Sequence, residues 1–213
     1  MNTHAATNDF LNAALVGIYT GIVRSLPTLL SVVVFALPAF AQAPDAFRKS
    51  LEAADRQIVR LPPTAFKQLP KNLVAELQRR GCTIPQSPMT LGQRGGLIRA
   101  EFAKPGQTDW AVLCSVGRVS SILVFWNGSE TNPAKIAKMK DIDRLQSGAD
   151  NMIVYSRLIE PVDRAYITLH YKAYGGPKPP PIDHKGINDI FVGKASVVYY
   201  FYKGKWLQLT GAD

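Results

Sequence analysis

Apolar residues three or four positions apart predict two helices ahead of the first strands. The first covers residues 45–59, where Asp45 can cap the first turn. Its predicted buried side consists of Phe47, Leu51, Ala54 and Ile58. The second begins near Pro70, which suits a first helical turn, and ends at Gly81, which suits a left-handed stop.

The middle of the chain alternates apolar and polar residues, as a half-buried strand does. Residues 97–103 place Ile98, Ala100 and Phe102 on one side. Residues 110–116 return after the turn "PGQTD", and a two-residue turn leads into 119–126, which ends at the turn pair Asn127-Gly128. We therefore expect a meander of three antiparallel strands.

The second half of the chain mixes both periodicities. An Asp163 cap and the pair Gly175-Gly176 delimit one helix, and Lys203-Gly204 is the expected turn of a hairpin. In order, the pattern predicts a helix at 133–148, a strand at 151–159, helices at 163–176 and 183–191, and a hairpin at 196–213.

This succession of helices, meander, helices and hairpin is typical of an α+β fold. We expect a single antiparallel sheet of about five or six strands, with the helices packed on it. The central three-strand meander and the C-terminal hairpin supply its strands. The predicted domain is 44–213.

Residues 1–43 have the features of a signal peptide. Arg24 precedes an apolar run of about a dozen residues, which is too short to span a membrane, and small residues follow it. Cleavage is expected after Ala41 or Ala43, which would leave an exported chain, periplasmic or secreted, with no membrane span. A leader that starts near Val23 would consist of Arg24, the apolar run and the small residues, with no additional segment before them. We therefore expect the true start of translation to lie near Val23. The apolar stretch 10–23 leaves an uncleaved N-terminal anchor as the alternative.

The chain carries a formal net charge of +9, which attracts anionic lipid, polysaccharide or nucleic acid. However, lysine and arginine are scattered along the sequence, and the densest run, residues 135–140, holds three lysines. Net charge alone is therefore better explained by solubility, and nucleic-acid binding is not expected.

Cys82 and Cys114 are the two cysteines of the sequence. In an oxidising compartment an even count predicts a disulfide, which would stabilise the fold by about 3.5–4 kcal/mol. The alternative is a nucleophilic Cys114, which needs a base to lower its pKa. His170 and His184 are the histidines of the predicted domain, and neither lies at a recognisable spacing from it. We predict the disulfide.

The candidate catalytic residues are His184, Asp183 and Asp189, in which His184 would act as a general base oriented by a carboxylate. Adjacent residues do not face each other on a helix, and Asp189 lies five positions from His184 rather than four. These spacings favour a helix cap at Asp183. The histidines, cysteines and acidic residues match no zinc or calcium pattern, so no metal and no cofactor are expected.

The aromatic end of the chain predicts a second kind of site. Neighbouring residues of a strand point to opposite faces, so one face of the hairpin can be core while the other stays exposed. Aromatic rings beside lysines can stack on sugars or bases. The candidate binding residues are Tyr200, Tyr202, Lys203, Lys205 and Trp206. The alternative is a sheet that helices cover on both sides.

Four segments together resemble a family of uncharacterised exported bacterial proteins. They are "GCTIPQ" (81–86), "GQTDWAVLCS" (106–115), "DHKGINDIFVGKAS" (183–196) and "GKWLQLTGAD" (204–213). The resemblance covers most of the predicted domain and implies export and a shared fold. That family has no known activity, so the resemblance implies no reaction and no catalytic residue.

The function expected from these features is a non-catalytic binding module of the cell envelope. Its partner would be an anionic glycan or another protein, the latter as an inhibitor binds its target. The alternative is a secreted hydrolase that uses His184 with Asp183 or Asp189. An enzyme needs a cleft that joins His184 to a carboxylate, whereas a binding module needs an exposed aromatic or basic surface.

Overall fold

The computed structural model describes residues 42–90, 94–148 and 152–211, and these contain three α-helices and twelve β-strands. In chain order the elements are α1 (Gln42–Gln57), β1 (Arg60–Leu61), α2 (Lys71–Arg79), β2 (Ile84–Pro85), β3 (Leu97–Ala100), β4 (Asp109–Val116), β5 (Val119–Phe125), β6 (Ala134–Lys140), β7 (Leu145–Ser147), β8 (Ile153–Tyr155), β9 (Arg157–Val162), α3 (Arg164–Tyr174), β10 (Gly186–Phe191), β11 (Ala195–Tyr202) and β12 (Lys205–Gly211). The predicted α+β class is confirmed. Residues 1–41 of the predicted leader lie outside the described part of the chain.

The strands form four sheets, so the prediction of a single sheet is wrong. Sheet A contains β3, β4, β5 and β6 in that order, and sheet B contains β12, β11, β10 and β9 in that order. Both are antiparallel. Strands β1 with β2, and β7 with β8, form two small separate sheets. The meander and the hairpin were predicted correctly, but each belongs to a different four-stranded sheet.

The two large sheets pack face to face. Leu113 and Ile122 of sheet A share one core with Ile159 and Ile187 of sheet B, and all four are at least nine-tenths buried. Burial of this apolar surface is the main favourable term that holds the sheets together.

Each large sheet also carries a helix on its outer face. Leu73 and Leu77 of α2 pack with Val112 of β4 in one core, while Ile167 of α3 packs with Val198 of β11 in another. The order of layers is therefore α2, sheet A, sheet B and α3. In the described residues no helix combines the length and the apolar character needed to cross a membrane.

The three described helices confirm that helices form at the segments predicted at 45–59, 70–81 and 163–176. However, α1 begins at Gln42, so the predicted cap at Asp45 is wrong, and Phe47, which was expected on the buried side, is 60% exposed. The predicted cap at Asp163 is present, because its carboxylate accepts a hydrogen bond from the backbone N–H of Tyr166 at 2.9 Å. The C-terminal hairpin also forms, with Tyr202 paired to Lys205 on either side of the expected turn.

The helix predicted at 133–148 is wrong. Its first half is β6, followed by a short 3-10 turn at Asp141–Arg144 and then β7. The β5–β6 pairing shifts register at a bulge, where Ala137 has a φ of 54°. A bulge adds one residue to the strand and breaks its two-residue period, so that Ile136 and Met139 stand three apart as on a helix.

The helix predicted at 183–191 is also wrong, because residues 186–191 are β10 at the centre of sheet B. Both Asn188 and Asp189 are buried there, at 2% and 0% exposure. Polar residues on both faces of a strand hide its alternation of apolar and polar positions. The strand predicted at 151–159 is divided into β8 and β9, which belong to different sheets.

Candidate ligand-binding site

A groove of about 430 Å³ lies on the outer face of sheet A, beyond the part that α2 covers. We call it the basic groove. Its lining residues are Arg80, Cys114, Val116, Val119, Ser121, Leu123, Lys135 and Lys138. Three of these side chains are cationic, and among the described residues that line the groove none carries a carboxylate.

The floor of the basic groove is held by a disulfide between Cys82 and Cys114, whose Cα atoms are 5.1 Å apart. This bond confirms the predicted pairing and removes the nucleophilic alternative for Cys114. It joins the segment that follows α2 to the middle of β4, and a bridge from the backbone of Thr83 to that of Ser115 reinforces the connection. Arg80 lies two residues before Cys82, so the disulfide also fixes the origin of one of the three cations.

The bulge in β6 decides where two of the cations point. Ser120 pairs with Met139 and Ile122 pairs with Ile136, so two residues of β6 stand opposite Ser121. In a regular strand, residues three apart point to opposite faces. The extra residue therefore allows Lys135 and Lys138 to line the same groove.

A buried arginine between the sheets holds this bulge in place. Arg157 donates two hydrogen bonds of 2.8 Å to the Asp189 carboxylate, one to the Ser120 hydroxyl and one to the carbonyl oxygen of Ala137. Burial disfavours the charged guanidinium, but the bonds to Asp189 outweigh it and raise the pKa of Arg157. A non-glycine residue at positive φ is strained, and the bond to its carbonyl helps to keep Ala137 there.

The three cations of the groove differ in their partners. Glu76 accepts a 2.6 Å hydrogen bond from Nε of Arg80, and it also pairs with Arg79. The hydrogen bond from Arg79, together with Arg80, outweighs burial and lowers the pKa of Glu76 to about 2. The ion pairs of the described residues include neither Lys135 nor Lys138. These two exposed lysines are therefore available to a ligand.

The structure does not bring the three candidate catalytic residues together. Asp189 binds Arg157, and Nδ1 of His184 lies 3.1 Å from the carbonyl oxygen of Lys185. Asp183 is exposed in the loop before β10. Among the hydrogen bonds of the described residues, none joins His184 to either carboxylate. The use of His184 as a general base stays a prediction.

The aromatic residues of the hairpin are divided between two faces. Tyr200 is 1% exposed and belongs to the core under α3, with Tyr202 partly buried beside it. Trp206 points the other way and stacks on Trp126 at 5.8 Å between ring centroids. Lys203 and Lys205 are exposed at the turn. Binding by these residues stays a prediction, and Tyr200 and Trp206 serve different cores.

The sequence pattern missed the lysines of the groove for the same reason that it missed β6. Lys135 and Lys138 belong to the densest run of charge in the sequence, but the helix predicted at 133–148 would place them on a solvated face instead of in a groove. The one signal that could have revealed them is the three-residue spacing itself, since a bulged strand produces it as well.

The described residues contain no group of three or more histidine, cysteine or acidic side chains able to hold a metal ion. Comparison with family models, with curated proteins and with solved structures finds no match for this chain. The resemblance to exported bacterial proteins therefore stays a prediction, and the groove must be interpreted from its own chemistry.

Proposed function

We propose that this chain is an exported, non-catalytic binding module whose basic groove holds an anionic glycan of the bacterial envelope. The observation that carries the proposal is the convergence of Arg80, Lys135 and Lys138 on one groove that no described carboxylate lines. Such a groove concentrates positive potential and attracts negatively charged ligands.

The lining also fits a sugar chain better than a small free anion. Val116 is 47% exposed at the groove, and Val119 is partly exposed beside it. These side chains offer an apolar strip on which the C–H face of a sugar ring can pack. The Ser121 hydroxyl can bond to a sugar hydroxyl, while the lysines pair with carboxylate or phosphate groups as point charges.

Export is supported by the disulfide, because such bonds persist in oxidising compartments outside the cytoplasm. The alternative function, a hydrolase built on His184 with Asp183 or Asp189, has no supporting contact among the described residues. We therefore assign the function to the groove.

The test is isothermal titration calorimetry of the predicted domain, residues 44–213, with two anionic probes, hexagalacturonate and a glycerol-phosphate hexamer. The double variant Lys135→Gln/Lys138→Gln should weaken binding of the preferred probe about tenfold, as loss of two exposed ion pairs predicts. Which probe binds more tightly identifies the charged group of the glycan.

The matched control is Lys205→Gln, which removes one exposed strand lysine at the hairpin of sheet B and should leave the affinity unchanged. An equal loss in this control would show that net charge, not the groove, binds the probe. Equal affinity for a thymidine hexanucleotide would contradict the assignment to a glycan, since the groove would then respond to charge alone.

A further inference from the structure

A second pocket, of about 450 Å³, lies on the outer face of sheet B. The helix α3 has 11 residues and is about 16 Å long, so it leaves the end of the sheet near the β10–β11 turn uncovered. We call this the polar pocket. The lining residues used below are Glu160, Tyr166, Asn188, Phe191 and Lys194.

One buried amide organises the polar pocket. The Nδ2 group of Asn188 donates one hydrogen bond to Oε1 of Glu160 and another to the hydroxyl oxygen of Tyr166, both at 3.0 Å. Asn188 is 2% exposed, and its Oδ1 is a buried acceptor without a partner in the described chain. A polar side chain buried in the centre of a sheet with one acceptor unpaired adds little stability. We therefore interpret Asn188 as a residue that positions Glu160 and Tyr166.

The two groups that Asn188 positions offer complementary hydrogen bonds. The Tyr166 oxygen accepts from Asn188, so its own O–H remains free to donate. Burial and the nearby Glu160 charge raise the pKa of Tyr166, which keeps that proton on the hydroxyl. Glu160 is exposed and can accept from a ligand.

The charge of the pocket selects for a neutral ligand. Glu160 and Lys194 are the ionisable groups of opposite sign among its described lining residues, so their charges offset each other. Nζ of Lys194 lies 5.0 Å from the centre of the Phe191 ring, and Tyr166 is 36% exposed. The pocket thus combines a donor, an acceptor and aromatic surface without net charge.

We propose that the polar pocket binds a neutral sugar unit with neighbouring hydroxyl groups, Tyr166 donating to one hydroxyl and Glu160 accepting from another. Each sugar hydroxyl both donates and accepts, and the C–H face of a sugar packs on aromatic rings. This site is separate from the basic groove and does not rest on the function proposed for it.

The experiment is an NMR titration of the predicted domain, residues 44–213, in which the protein signals are observed while cellohexaose, maltohexaose or mannohexaose is added. We expect at least one of them to shift the backbone amides of β10 and the start of α3. Tyr166→Phe keeps the ring and removes the donated hydrogen bond, so its affinity for that sugar should fall about fivefold.

Tyr174→Phe is the matched control, since Tyr174 lies on the same helix at 53% exposure and does not line the pocket. It should bind as the unmodified chain does. Asn188→Asp replaces the amide donors with a carboxylate that repels Glu160 and should also weaken binding; its melting temperature shows whether the fold survives.

The proposal is overturned if none of the three sugars shifts these amides, or if Tyr166→Phe binds as tightly as the control. The double variant Lys135→Gln/Lys138→Gln must keep its neutral-sugar affinity. A loss there would place the neutral sugar in the basic groove and would likewise overturn the polar pocket.

Discussion

The outer faces of the two sheets are built alike but differ in the charge of the recess that each one carries. Each is covered by one short helix, α2 with nine residues on sheet A and α3 with 11 residues on sheet B, and each leaves a recess beside it. The recess on sheet A is lined by cations, whereas that on sheet B is lined by one anion, Glu160, and one cation, Lys194. Helix length therefore creates the recess, and a few side chains at its margin decide what it can bind.

The two recesses also differ in how they are fixed. The basic groove depends on a covalent bond at its floor and on a bulge that Arg157 holds from the opposite sheet. The polar pocket depends on the amide of Asn188. Changes to the core between the sheets should thus disturb sheet A more than the pocket of sheet B.

The largest expected effect is that of Arg157→Met. It leaves the buried Asp189 carboxylate with a 3.8 Å contact to Arg144 in place of its two hydrogen bonds from Arg157, and it frees the Ala137 carbonyl. The expected cost is about 3–5 kcal/mol in the free energy of unfolding. Urea unfolding measures it, and anion binding at the groove should weaken in the same variant. The double variant Arg157→Met/Asp189→Leu should recover much of the stability; a single-variant cost below about 1 kcal/mol would contradict this role for the ion pair.

Next is the disulfide. Cys82→Ser/Cys114→Ser should lower the free energy of unfolding by about 3.5–4 kcal/mol through the gain of freedom in the unfolded chain. The variant should bind the anionic probe more weakly at the basic groove, while its affinity for a neutral sugar at the polar pocket should stay unchanged. Dithiothreitol should have the same effect on the unmodified chain and none on the double variant. An equal loss of affinity for the anionic probe and for the neutral sugar would show that the two recesses are not independent.

Asp109 braces one end of sheet A. Its buried carboxylate accepts hydrogen bonds from the backbone N–H groups of Phe102, Ala103 and Asn127. Asp109→Asn keeps one acceptor oxygen and sets an amide donor against these groups, at a cost of about 2–3 kcal/mol. Chemical denaturation measures it, and Asp183→Asn, at an exposed position, is the control. A cost equal to that of the control would contradict the brace.

A smaller effect, of opposite sign, is expected at the bulge. Ala137→Gly should stabilise the fold by about 0.5 kcal/mol, because glycine adopts a positive φ without strain but loses more freedom on folding. Ala137→Val should destabilise it. Thermal unfolding of the two variants gives the comparison, and a glycine variant that loses anion binding would show that the bulge does not align the lysines.

The smallest effect concerns acid. The folded-state pKa of Glu76 is about 2, below its ordinary 4.5, so its ion pairs stabilise the fold above pH 4.5 and lose that contribution as the pH falls toward 2. In Glu76→Gln the unfolding free energy should therefore change less over this window. Parallel slopes for the two proteins between pH 4.5 and pH 2 would contradict it.

Helices and strands in which apolar and polar residues alternate with one regular period could be predicted from the sequence. Strands in which a bulge or a buried polar residue interrupts that period could not. The segments that became α2, β4 and the β11–β12 hairpin follow one period throughout. In β6 the extra residue shifts the period, and in β10 the buried Asn188 and Asp189 interrupt it. That the meander and the hairpin belong to separate sheets depends on packing between distant segments, which periodicity does not report.

The sites show the same division. The disulfide was predictable because two cysteines permit one pairing. The polar pocket was not, because Asn188 meets partners 28 and 22 residues away, at Glu160 and Tyr166, and no local pattern joins them. The lysines of the groove were visible as a run, but their common direction depends on one backbone angle at Ala137.

The stacked pair Trp126 and Trp206 gives the molecule a built-in optical reporter. Trp126 follows β5 of sheet A and Trp206 lies in β12 of sheet B, while Phe201 packs against both. Two of the three tryptophans of the chain thus sit at the seam between the sheets. If sheets A and B separate before either sheet unfolds, water reaches both indole rings at the same time. The tryptophan emission would then shift to the red before the far-ultraviolet circular dichroism signal is lost.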